Sequence, residues 1–88
     1  MNNIRKMILE KTIAHYGQGP QRDKAIEELS ELIRALARCD DRTNITEEMA
    51  DVRIMLDQLE LIFQNHEQVR EWEYKKLMRL NERVKAYE

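Results

Sequence analysis

Glycine and proline are nearly missing from this chain, with two and one among 88 residues. That leaves little material for hairpins, tight turns or disordered linkers. A single cysteine, Cys39, cannot form an internal disulfide, and a cytoplasmic setting is the expectation. It falls near an expected helix end, where an ordinary thiol is the simpler reading. No apolar run approaches the roughly 18 residues of a membrane span, and the N-terminal MNNIRKMILEKTI lacks the layout of a signal peptide. Neither charge dominates, since 15 basic residues stand against 17 acidic ones, a formal net charge of −2. Such a mixed surface offers no basic field for a nucleic acid polymer, and neither that partner nor a membrane is expected.

What the chain does have is charge and helical periodicity, with 36% charged and 42% hydrophobic residues. Its length suits one domain, residues 1–88. A domain of this size buries only about 60–65% of its unfolded surface, so an all-helical version is marginal alone. Association with copies of itself is a common remedy.

Periodicity and punctuation give four helices. Residues 3–16 carry Ile4, Ile8 and Ile13 at helical spacing, and GQGP stops them. Pro20 suits the first turn of a second helix running to about Cys39. The polar DDRTN then separates a third helix, where Asn44 and Glu47 have capping-box spacing, ending at about Phe63. After the joint QNHE, residues 67–87 form the fourth. Short connections favour antiparallel neighbours, so the expected fold is an all-α, antiparallel four-helix bundle.

The third helix raises a difficulty. With about 100° of rotation per residue, Val52, Leu59 and Met55 fall within about 40° of Glu48. Asp51 lies about 60° to one side, close to Ile62. A carboxylate therefore sits in the middle of the apolar face and another on its edge. Helix two is similar: Glu28, Glu31, Lys24 and Gln21 form a polar stripe beside the arc of Leu29, Leu32, Ile33 and Leu36. Glu27 and Glu47 point away and read as solvated.

A carboxylate taken out of water costs several kcal/mol or raises its pKa until it is neutral. Two acidic pairs on adjoining helices also repel each other. A divalent cation relieves both problems, and hard cations such as Mg²⁺ prefer oxygen ligands. The i, i+3 spacing puts both carboxylates of a pair on one face. Two facing pairs thus make a cage for one or more Mg²⁺ ions, although either pair alone would suit a solvated helix.

The segments EELSEL and EEMADV carry Glu28–Glu31 and Glu48–Asp51 with sixteen residues between the pairs. With their flanks, from HYG before the first pair to QL after the second, they resemble the ExxE and ExxD motifs of the MazG-like, all-α nucleoside triphosphate pyrophosphohydrolases. The likeness covers roughly residues 15–84. It implies a homodimer or homotetramer that cleaves an NTP or dNTP to a monophosphate and pyrophosphate. Glu28, Glu31, Glu48 and Asp51 would then be the catalytic metal ligands for Mg²⁺, with Mn²⁺ an alternative. Phosphoryl transfer asks mainly for positioning and charge neutralisation, which clustered metals supply.

Cations should then meet the phosphates. On helix four, Lys76 and Arg83 share the face of Val69, Leu80 and Tyr87, with Arg79 at its edge. The resemblance assigns Lys76, Arg79 and Arg83 to the substrate. Basic residues also lay their stems on a core with the charge in water. Lys24 either pairs with Glu28 or Glu31 or touches a phosphate. Trp72 and Tyr74 suit core or interface better than base stacking, His15 and His66 suit helix ends, and Met49 and Met55 suit core filling. Two other classes compete: a nucleotide-binding module without catalysis, and a plain helical oligomerisation bundle.

Overall fold

The computed structural model describes residues 1–88 as four helices and no strands: α1 (Asn3–Tyr16), α2 (Gln18–Ala37), α3 (Arg42–Phe63) and α4 (His66–Lys85). Each boundary has a local cause. Asn2 caps α1 by accepting from the Arg5 N–H at 2.8 Å. Gly17 ends it with φ of 94°, a conformation that side chains rarely adopt, and at once begins α2. Pro20 follows in the first turn, where a missing N–H costs nothing.

The α2–α3 corner is tightly built. Cys39 takes a left-handed conformation, φ 57°, where glycine is usual. Cys39 N–H donates to the Leu36 carbonyl and Asp40 N–H to that of Ala35, closing a Schellman motif. Asp41 then accepts from the Asn44 N–H at 2.8 Å and caps α3. The expected cap at Asn44 is therefore displaced by three residues. Asn44 is already helical, and its Nδ2 donates to Asp40 at 2.8 Å. Asp41 won because a carboxylate at a helix N-terminus gains from both the free N–H groups and the dipole.

Helices α2 and α3 form the central hairpin, and α1 packs across both. The buried residues are Gln21, Ala25, Glu28 and Ala35 of α2, Val52, Met55 and Gln58 of α3, and Leu9 of α1. The two alanines let the central helices approach closely. An Arg5–Asp57 ion pair fastens α1 to α3. Helix α4 touches α3 alone and buries no residue. Gln64, left-handed at φ 52°, turns the chain into it.

Only five hydrophobic residues are buried, so much of the expected apolar stripe lies open. Ile4, Ile8, Ile33 and Leu36 are exposed, while Leu29 and Leu32 are half-buried. Met55 fills the core as expected, but Met49 faces solvent. On α4, Trp72 is 52% exposed, and Leu77, Leu80 and Val84 are equally open. The radius of gyration, 15.8 Å, exceeds the roughly 12 Å of a compact chain of this length. No helix is long and apolar enough to cross a membrane.

The Asp41 cap gives a direct check on the hairpin. Asp41→Ala should lower stability by about 1 kcal/mol, read as a lower urea midpoint at unchanged slope. Loss confined to the Asn44→Ala variant would instead restore the capping box at Asn44.

Candidate metal centre

The polar stripes of α2 and α3 meet along the seam of the hairpin. Glu28, Glu48 and Asp51 each bring a carboxylate oxygen within 4.8 Å of the other two. Helix spacing explains the convergence: Glu48 and Asp51 stand one turn apart on α3 and face Glu28 across the seam. Glu31, one turn beyond Glu28, lies outside that group of three but beside Glu48, whose ionisation it opposes.

Burial makes the cluster costly without a cation. Glu28 is only 8% exposed, and its Oε2 has no hydrogen-bond partner. Glu48 is half-buried, yet its Oε2 is likewise closed to solvent and unpartnered. Loss of hydration pushes the Glu48 carboxyl above the usual range, and the charges of Glu31, Asp51 and Glu28 push it further. Asp51 is raised by burial first, then by the Glu28 charge and a hydrogen bond shared with Glu28. Lys24 opposes that rise.

Lys24 is the cluster's cation. Its Nζ stands 3.1 Å from Glu28 and 3.6 Å from Glu27, and not against Glu31. The hydrogen bond to Glu28 and the charges of Glu27 and Glu28 raise its pKa. One exposed ammonium cannot neutralise three carboxylates. Three carboxylates that each bring an oxygen within 4.8 Å of the other two, with Glu28 and Glu48 each carrying an unpartnered oxygen, fit a hard cation, and Glu28, Glu48 and Asp51 can hold it.

The remaining expected residues lie elsewhere. Lys76, Arg79 and Arg83 are exposed on α4, which has no contact with α2 in the same chain. Arg79 and Lys75 instead approach the Trp72 ring, with the guanidinium 6.0 Å and the ammonium 5.1 Å from its centroid. His66 pairs with Glu60 at 2.9 Å at the α3–α4 corner, and His15 packs edge-on against Tyr16.

A cleft of about 1170 Å³ opens between α1, α2 and α3, and Lys24 lines its wall. Gln58 also lines it, 2% exposed, with its Oε1 unpartnered. Sequence reasoning missed Gln58, although it stands two turns beyond Asp51 on the same face. In comparison with known proteins, no family model, no curated protein and no solved structure matches the chain.

The raised carboxyls fix the sign of a pH effect in metal-free protein. Between the ordinary carboxylate pKa, about 4, and the raised folded values, the folded state binds protons that the unfolded chain has released. Stability should therefore fall as pH rises through that window. Melting curves in EDTA should show this decline, and Glu48→Gln should flatten it. Added Mg²⁺ at a hundredfold excess over its Kd should stabilise wild type by about 2.7 kcal/mol, with no gain in the variant. A pH-independent melting temperature, or equal Mg²⁺ effects, would contradict the burial account.

Proposed function

We propose that the chain is a Mg²⁺-dependent nucleoside triphosphate pyrophosphohydrolase of MazG-like type that works as a homo-oligomer. The observation that carries this reading is the cluster of Glu28, Glu48 and Asp51 at the α2–α3 seam, in which Glu28 is buried and Glu28 and Glu48 each have an unpartnered oxygen. The resemblance of EELSEL and EEMADV to the family's motifs supports it, since those segments supply all the clustered acids.

Glu28, Glu48 and Asp51 would hold the cation, with Lys24 steadying Glu28. Glu28, Glu48 and Asp51 would place Mg²⁺ where it would supply charge neutralisation for the phosphates and lower the pKa of a water. Hydrolysis adds water across the anhydride between the α- and β-phosphoryl groups, releasing a nucleoside monophosphate and pyrophosphate. The proton lost by that water needs an acceptor. Glu31, beside Glu48 but outside the group of three, is the carboxylate left for that role.

The open apolar surface supports self-association. Five buried hydrophobic residues and a helix that buries none make a small core, which a second copy covering the open faces would enlarge. The cations Lys76, Arg79 and Arg83 do not reach α2 within one chain, so they would meet substrate phosphates from a neighbouring copy. Function is thereby tied to assembly.

Pyrophosphate release from a panel of NTPs and dNTPs tests the activity. Release should require Mg²⁺ and stop with EDTA. Glu48→Gln should lose both Mg²⁺ binding and turnover. Glu31→Gln should keep Mg²⁺ affinity but lower kcat by about a hundredfold or more. Turnover retained in Glu48→Gln, or silence across the panel from a folded oligomer, would sink the reading.

Light scattering tests the assembly, with an expected mass at least twice the 10.6 kDa of one chain. Activity should drop on dilution below the dissociation midpoint. A fully active monomer would refute the shared site.

A further inference from the structure

Helix α3 carries a surface row that the metal centre does not use. Met49, Leu56 and Phe63 follow one another at seven-residue spacing, so they share one face of the helix over about 21 Å. They are 54%, 48% and 51% exposed. The row is turned by about 100–160° from Met55 and Gln58, which line the cleft beside α1, so α1 does not cover it. Leu56 and Phe63 instead line a second groove, between α3 and the first turns of α4, with Val69 and Arg70 on its other wall. Large apolar side chains at heptad spacing, each half open, have the layout of a helix seam that lacks its partner.

The charges beside the row limit what that partner can be. Arg53 and Glu60 stand on one flank, about 60° and 40° round from Leu56. Arg53 precedes Leu56 by three residues and Glu60 follows it by four. Arg53 has no ion-pair partner in its own chain. Glu60 pairs with His66 through Oε1, which leaves Oε2 for a second cation.

From Leu56 outward the pattern is self-complementary. Apolar residues, Met49 and Phe63, stand seven positions away in either direction, and charges of opposite sign stand between. A two-fold axis at Leu56 relating two antiparallel copies of α3 sets Leu56 against its own copy. The same axis sets Met49 against Phe63 and Arg53 against Glu60, each pair twice. Thioether and ring attract each other, as do guanidinium and carboxylate. Two helices bring the same flank together only when they run antiparallel. A parallel pair would leave Arg53 and Glu60 apart.

Resting on the self-association of the proposed function, we infer that two copies pair through α3, antiparallel, about a two-fold axis at Leu56. Each α3 lies in the groove beside the other copy's α4. The pairing buries the row and gives cover to the first half of α4, a helix that buries no residue within one chain. It needs neither cation nor nucleotide.

Light scattering and cross-linking in EDTA test the pairing without turnover. Wild type should have at least twice the mass of one chain. Leu56→Cys, in a Cys39→Ser background, should form a disulfide between copies on mild oxidation, because the axis brings each Leu56 position against its copy. Ile33→Cys, at a position 67% exposed on α2 but outside the row, should stay unlinked. Arg53→Glu should raise the dissociation constant about tenfold or more, since it sets like charges opposite each other. Glu60→Arg should do the same, and combining the two should restore tight pairing. Unchanged far-UV circular dichroism in each single variant separates this loss from unfolding. A monomeric wild type would refute both the α3 contact and the homo-oligomer. Cross-linking through Ile33→Cys or Leu77→Cys in place of Leu56→Cys, or a double variant as weak as the singles, would reject the α3 contact and leave the homo-oligomer standing. Pairing as described without pyrophosphate release would keep this contact and remove the hydrolase.

Discussion

Carboxylates held at the seam of the α2–α3 hairpin are the constraint on which the rest of this structure depends. The seam is where a short helical chain would place its best apolar packing. Here Glu28 and Gln58 take buried positions, with Glu48 and Asp51 beside them. The apolar contribution is correspondingly small, from Ala25, Ala35, Val52, Met55 and Leu9. Burial and the neighbouring acidic charges raise the carboxyls of Glu48 and Asp51, a cost that protons or a cation would offset.

Other features keep that seam in register. The Schellman turn and the Asp41 cap end α2 and start α3 within a few residues, which sets how the helices slide past each other. A shift of one residue would turn every acid by about 100° and disperse the cluster. Alanines bring the backbones close enough for carboxylates from both helices to share one point. The Arg5–Asp57 pair holds α1 over the far half of the seam, where the cleft forms. Every part of the site thus traces back to the geometry of one hairpin.

The sequence disclosed this arrangement unevenly. Four helices were legible because their periodicity is strong and their breaks carry Gly17, Pro20 and the DDRTN cluster. The acidic pairs were legible because i, i+3 spacing fixes a shared face whatever the tertiary packing. Asp41 was hidden because two aspartates and an asparagine compete for one cap, and only backbone conformation chooses among them. Gln58 was hidden for a different reason: an amide on an apolar face looks like any other until its partners can be counted. The openness of Ile33, Leu36 and Met49 was equally out of reach, since periodicity reports which face is apolar and not what covers it.

Two deficits in one chain, the crowded carboxylates and the uncovered apolar surface, have different remedies. A cation would act on the seam, where Glu28 and Glu48 carry unpartnered oxygens. A second copy would act on α1 and α4, where Ile4, Ile8, Trp72, Leu77 and Leu80 are open. Because α4 makes no contact with α2, covering its apolar face leaves the repulsion among the acids unchanged. Binding a cation likewise covers none of the α4 face. The two stabilisations are therefore separable in principle and become coupled only if basic residues of one copy meet phosphates held by another. Under the pyrophosphohydrolase reading proposed above, a nucleotide would touch both and so link assembly to chemistry.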